Sequence, residues 1–145
     1  MKEFDFRIKI IRWNLLSLST KDRLLNLTLK GTGCMRHFAL EVNPIVFDCF
    51  DKKTGKRMGW GAYDDLTGWT MMFVDPTHRR KGIASFTLEH VINYVRANNM
   101  PKIRINKWDW KSRNFYDNYY RDDVEPGHFS EVEQYHQRNY KWQKR

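Results

Sequence analysis

A chain of 145 residues, 41% hydrophobic and 15% aromatic, is one domain's worth of sequence, able to bury about 68–70% of its surface around a core without staples. Its net charge of +9 is spread evenly, with 8 basic and 5 acidic residues in 1–50, 8 and 5 in 51–100, and 10 and 7 in 101–145, so no basic arm marks a plain nucleic-acid-binding domain and nucleic acid is only a secondary candidate partner. No apolar run nears the roughly 20 residues of a membrane helix, Met1–Asp5 starts no signal peptide, and Cys34 and Cys49 match no zinc spacing; the expectation is a soluble cytoplasmic protein with reduced thiols, no metal and no membrane partner.

Phe4, Phe6, Ile8 and Ile10 alternate with Asp5, Arg7 and Lys9, which predicts a half-buried strand over Phe4–Ile11. Ser19-Thr20-Lys21-Asp22 offers a helix N-cap. Beyond it two readings stay open. Leu24 and Leu25 suit a short helix, while Leu25, Leu27 and Leu29 alternate with polar residues as a strand would. Gly31-Thr32-Gly33 ends the segment either way and lacks the third glycine of a dinucleotide fingerprint. Pro44–Asp51 is rich in strand formers, Lys53-Thr54-Gly55-Lys56 is a turn, and Arg57–Tyr63 is the returning strand. A second turn at Asp64–Gly68 leads to a third strand, Trp69–Val74, apolar on both faces except at Thr70 and therefore expected to be central.

After Asp75-Pro76 the period changes. Ala84, Leu88, Val91 and Val95 share one helical face, and Asn98-Asn99 and Pro101 stop the helix. Lys102–Asn106 alternates as a strand, so strand, crossover helix and strand form a βαβ unit with 69–74 and 102–106 parallel. A further helix is expected over about Ser112–Arg121, and the tail from Pro126 is open between a final strand, a docked helix and an extension.

The segment richest in chemistry is Phe73-Val74-Asp75-Pro76-Thr77-His78-Arg79-Arg80-Lys81-Gly82-Ile83-Ala84-Ser85. A buried strand ends, a basic loop follows, and Gly-Ile-Ala opens a helix whose free N–H groups and dipole make an anion site. Gly82 allows close approach of a phosphate to the backbone, and Arg79, Arg80 and Lys81 supply charge. The plain alternative is a solvated basic loop; its exit from the C-terminal end of a strand, where α/β ligands sit, argues against that.

Val74-Asp75-Pro76 and Arg79-Arg80-Lys81-Gly82-Ile83-Ala84 resemble the GNAT superfamily of N-acetyltransferases, whose cofactor loop reads Arg/Gln-x-x-Gly-x-Gly/Ala after a strand ending Val-x-Pro. The resemblance covers roughly residues 44–121 and implies an α/β (α+β) GNAT-like fold over 1–145. That fold is a mixed, mostly antiparallel sheet with a central parallel strand pair, 69–74 and 102–106, flanked by helices. It implies acetyl-CoA as co-substrate, its pyrophosphate on the amides around Arg79, Arg80, Lys81, Gly82, Ile83, Ala84 and Ser85. The backbone of Phe73 and Val74 would pair with the pantetheine arm, and the Val74 N–H would act as oxyanion donor. Downstream, the family's Asn-x-x-Ala-x-x-x-Tyr-x-x-x-Gly-Phe falls on Asp109, Ser112 and Tyr116, with Tyr120-Arg121 in place of Gly-Phe. By that match Tyr116 protonates the departing thiolate, as a group with a reference pKa near 10 can; the alternative is a packing aromatic.

The implied activity is acetyl transfer by direct attack of an amine from a protein, a small molecule or an aminoacyl-tRNA. Candidate bases are few. Asp64 and Asp65 read as solvated turn residues, Glu41 is a further option, His78 is expected to face water more than phosphate, and a water chain would leave no trace. Trp60, Tyr63, Trp69, Trp108 and Trp110 are expected to pack near strand ends, the last two shaping an acceptor pocket. The missing Gly-Phe, Asp109 and the absent base point to the other reading, a catalytically inactive GNAT-fold protein with a binding or assembly role, as in a phage structural or host-interaction protein.

Overall fold

The computed structural model describes residues 5–28, 43–78, 82–106 and 122–127. Alternating side chains make Phe6–Arg12 strand β1, which pairs antiparallel with β2, Ile45–Asp51, from Phe6 opposite Asp51 to Arg12 opposite Ile45. The turn after Asp51 returns the chain as β3, Arg57–Tyr63, and the turn after Asp64 returns it as β4, Thr70–Val74. The meander expected from the sequence is thus a four-stranded sheet in the order β1-β2-β3-β4.

The segment left open between helix and strand is a helix, α1, Leu18–Thr28. Its start lies earlier than the Ser19–Asp22 signal: the Ser17 hydroxyl accepts the Thr20 N–H at 3.1 Å, and the Ser17 carbonyl accepts the Lys21 N–H at 2.9 Å. Helix geometry puts Leu24 under the sheet, where it is fully buried with Trp13, Val46, Trp60, Ala62 and Trp69. The opposite face is covered by α2, Ile83–Ala97, whose Leu88, Val91, Ile92 and Val95 pack on Ile45, Phe47 and Tyr63. The apolar stripe read at Leu88, Val91 and Val95 is therefore the buried one, while Ala84 is half-buried. The Tyr63 hydroxyl donates to the Pro101 carbonyl, tying β3 to the turn after α2, and burial foremost, then Asp65 and Asp64, pushes that phenol's pKa up.

Cys49 is a buried free thiol, and burial pushes it up to about 11, so it is protonated and inert at neutral pH; Cys34 lies outside the described residues. Strand β5, Ile103–Asn106, pairs in parallel with β6, Val124–Gly127, which opens the tail segment as a strand. Ile103, Ile105 and Val124 join the core beneath α2. The helix expected over Ser112–Arg121 lies outside the described residues, as do residues 128–145. No helix among the described residues is long and apolar enough to cross a membrane.

Candidate active site

The parallel direction expected for 69–74 and 102–106 is present, but contact is brief. Trp69 and Arg104 form one isolated parallel bridge, with the Arg104 N–H on the Gly68 carbonyl at 2.8 Å. Past that bridge β4 is the edge of its sheet, and β5 pairs on its other side with β6. The two strands stand next to each other in the middle of the strand order yet leave a slot between them. β4 is accordingly half-buried from Met71 to Val74, where the sequence's two apolar faces suggested a fully covered strand.

The ladder sets which main-chain groups face this slot. Opposed residues of an antiparallel pair alternate between those that exchange hydrogen bonds and those that do not. The Asp64 N–H on the Trp69 carbonyl at 2.8 Å and the Asp75 N–H on the Met58 carbonyl at 3.0 Å fix the phase. With Ala62 opposite Met71 and Trp60 opposite Phe73, the main chain of Met71 and Phe73 faces β3. A Cβ added to Gly59 would stand 2.5 Å from the Phe73 carbonyl oxygen, in keeping with that direction. The N–H and C=O of Met72 and Val74 are therefore turned to the slot. Phe73 offers its side chain to the α1 face beside Met71, and its peptide groups belong to the β3 ladder. The outward direction of the Met72 peptide groups is not legible in the sequence, because alternation reveals shared faces and not the phase of a ladder.

At the end of the slot, past the short 3-10 helix Pro76–His78, α2 begins. Gly82 is its N-cap at φ 78° and ψ 11°, a left-handed conformation, with no side chain capping it. The first intrahelical bond runs from the Phe86 N–H to the Gly82 carbonyl at 3.0 Å, and no acidic residue sits in the first turn. Among the described residues, apart from its chain neighbours, nothing lies within 4 Å of a Cβ added to Gly82. An open helix start without a competing carboxylate favours an anion. Ile83 is buried beneath, while Ala84 and Ser85 are half-exposed. Arg79, Arg80, Lys81, Tyr116, Trp108 and Trp110 lie outside the described residues, as does Glu41.

Of the two turn carboxylates Asp64 is out of solvent and Asp65 is half-buried, and both are committed to structural bonds. Asp64 is fully buried because its oxygens accept the Leu66 N–H at 3.1 Å and the Thr67 hydroxyl at 2.5 Å, an Asx-type turn. Asp65 takes a bidentate Arg12 guanidinium at 2.9 and 3.0 Å, and that hydrogen bonding holds its carboxyl below the usual carboxylate range. A folded pKa below the unfolded value near 3.8 gives stability that is present above pH 3.8 and lost as pH falls through the folded value. Arg12→Gln should thus cost about 1 kcal/mol in urea unfolding at pH 6, with the gap to wild type narrowing as pH falls below 3.8; a gap that does not change with pH would reject this role for the pair.

His78 is buried, contrary to the expected solvent-facing position, with its N–H on the Asp75 carbonyl at 2.8 Å. The Thr77 N–H and hydroxyl on Asp75, at 3.0 and 2.8 Å, lower that carboxyl's pKa and shape the turn leaving β4. Trp60, Tyr63 and Trp69 are core side chains, and another buried carboxylate, Asp48, is matched by Arg57 at 2.8 Å on both oxygens. No group of three or more His, Cys, Asp or Glu that could hold a metal occurs among the described residues.

Comparison with known families matches residues 21–119 to the acetyltransferase (GNAT) family. Curated protein sequences contain no significant match. Among solved structures, an aminoglycoside acetyltransferase from an uncultured soil metagenomic sample is similar with a TM-score of 0.56 at 15% identity, over 79% of this chain and 87% of that one. A ribosomal-protein-alanine N-acetyltransferase from Brucella melitensis biovar Abortus 2308 gives 0.57 at 15% identity, over 79% and 90%. An acetyltransferase from Trypanosoma brucei gives 0.54 at 16%, over 80% and 92%. At such identities the likeness is one of fold.

Proposed function

Because this chain belongs to the acetyltransferase (GNAT) family, we propose that it moves an acetyl group from acetyl-CoA to an amine by direct attack. The observation that carries the reading is the parting of β4 from β5 after one bridge, with the main chain of Met72 and Val74 turned into the gap and the start of α2 at its end. An extended pantetheine arm would add to the free edge of β4 as a strand does, on Met72 and Val74 rather than on Phe73. The diphosphate would rest on the amides of Gly82–Ser85, with Arg79, Arg80 and Lys81 around it.

The bound co-substrate supplies an activated thioester. The amine nitrogen forms the new C–N bond, the C–S bond breaks, and the thiolate takes a proton while the amine loses one. The Val74 N–H suits the oxygen that gathers charge, and Tyr116 is proposed as the acid. With Asp64 and Asp65 held in structural bonds, a base drawn from the described residues is lacking, and water is proposed to receive the amine proton. That same commitment favours the second reading, a GNAT-fold protein that binds without turnover. The fold neighbours' named acceptors, an aminoglycoside and a ribosomal protein, bring both small-molecule and protein amines into consideration.

Acetyl-CoA titration by calorimetry, followed by thiol release with candidate amines, separates these readings. The transfer reading expects binding and turnover, with Tyr116→Phe lowering kcat roughly hundredfold at unchanged acetyl-CoA affinity. Binding without thiol release from any amine supports the second reading, and absence of binding rejects the transfer reading and leaves the inactive protein with a binding or assembly role.

A further inference from the structure

We infer that the outer edge of β1, at the opposite end of the strand order from the slot, takes an extended acidic segment of a partner protein as an added strand. Among the described residues β1 pairs on one side only, with β2. The Lys52 N–H on the Asp5 carbonyl and the Trp13 N–H on the Pro44 carbonyl, each at 2.9 Å, bracket that pairing and set its phase. The register runs unbroken between them, so the peptide groups of Arg7, Lys9 and Ile11 face β2 and those of Ile8 and Ile10 face outward. Ile10 is 41% exposed. Each of the two isoleucines offers one donor and one acceptor to the side, at the two-residue spacing that a neighbouring strand matches.

The side chains of β1 select the kind of strand. Phe6 and Ile8 pack against Cys49, Met58 and Ile83 on the α2 side, so a neighbour on this face should be apolar. Arg7 and Lys9 stand on the other face, both exposed. The carboxylate level with Lys9 on β2 is Asp48, and Arg57 holds both of its oxygens at 2.8 Å. Among the described residues neither Arg7 nor Lys9 is in an ion pair. Two unmatched cations two residues apart complement acidic side chains at the same spacing on an adjoining strand. A second copy of β1 does not. Laid antiparallel and centred on Ile8 it sets Arg7 against Lys9, and centred on Lys9 it sets that lysine against itself; like charges directly opposite oppose pairing. A nucleic acid would meet the cations but brings no row of amides to Ile8 and Ile10. The fitting partner is a segment that alternates acidic and apolar residues.

The test uses the full chain and a fluorescein-labelled peptide, blocked at both ends, that alternates glutamate and valine. Fluorescence anisotropy at low salt should show saturable binding. A scrambled peptide of the same composition and a lysine–valine peptide should each bind at least roughly tenfold more weakly. Methylating one alternate set of the peptide's amide nitrogens should weaken binding about tenfold or more, and methylating the other set less than about threefold, since only one set faces β1. Replacing both cations, Arg7→Glu with Lys9→Glu, should reverse the preference in favour of the lysine–valine peptide. Equal losses from the two methylated sets, equal binding of the scrambled peptide, or no saturable binding overturns the inference. A concentration-dependent dimer in sedimentation that Ile10→Pro dissolves, through loss of an outward N–H, would assign the edge to a second copy. Single-stranded RNA that binds more tightly than the peptide and displaces it would assign the edge to nucleic acid; either result also overturns the inference. The acetyl-transfer reading is tested separately, since its slot borders β4 at the other end of the sheet.

Discussion

Gly68→Ala is expected to lower Tm by roughly 10 °C, the largest effect on stability of any single methyl group in the described structure. Gly68 sits at φ 82°, where an L side chain costs about 1–2 kcal/mol. A Cβ there would also overlap the carbonyl oxygen of Lys102, which is backbone and cannot rotate aside. Relief requires moving the start of β5 away from the start of β4, at the residue whose carbonyl receives the Arg104 N–H. Overpacking of this kind adds about 1–3 kcal/mol. Thermal unfolding followed by circular dichroism measures the sum, and a Tm within about 2 °C of wild type would show that the junction yields at little cost.

Gly82→Glu is expected to lower acetyl-CoA affinity by roughly a hundredfold or more, the largest effect on binding. A carboxylate at the start of α2 would claim the first-turn amides and repel the diphosphate, and each charge-assisted hydrogen bond lost is worth about 1.5–3 kcal/mol. Gly82→Ala separates charge from backbone strain, since it meets the same positive φ but, among the described residues and apart from its chain neighbours, has nothing within 4 Å of its methyl. It should destabilise by about 1–2 kcal/mol yet keep affinity within roughly fivefold. Calorimetry on both variants decides the matter. Equal losses would mean that the conformation of residue 82, and not its charge, governs the site.

Much of this architecture could be read from local pattern. The β2–β3–β4 meander and α2 follow from alternation, turn residues and a helical stripe, all signals contained within a dozen positions. Residues 18–28 resisted because Leu24 and Leu25 serve a helix while Leu25 and Leu27 also alternate; burial of Leu24 against Trp13 and Trp60 decides it, and that contact is tertiary. Asp65 looked solvated because its partner, Arg12, is 53 residues away. Asp64 looked the same because side-chain type does not announce an Asx turn with a buried centre. For the candidate site, the position of Gly82 at a helix start was legible from the motif. The direction of the Met72 and Phe73 peptide groups was not, since it depends on which neighbour each pairs with. Arg79–Lys81 and Tyr116 lie outside the described residues, so their roles stand as proposals.

The β4 wall of the slot is built from peptide groups in the plane of the sheet, while the side chains of Met72 and Val74 stand out of that plane, into the packing under α2. Lining the slot and filling the core are thereby assigned to different atoms of the same residues. Saturation mutagenesis at 72 and 74 should consequently rank variants by volume and branching, with polarity penalised as it is in any interior. Drift in these letters would leave the slot-facing main chain chemically unaltered.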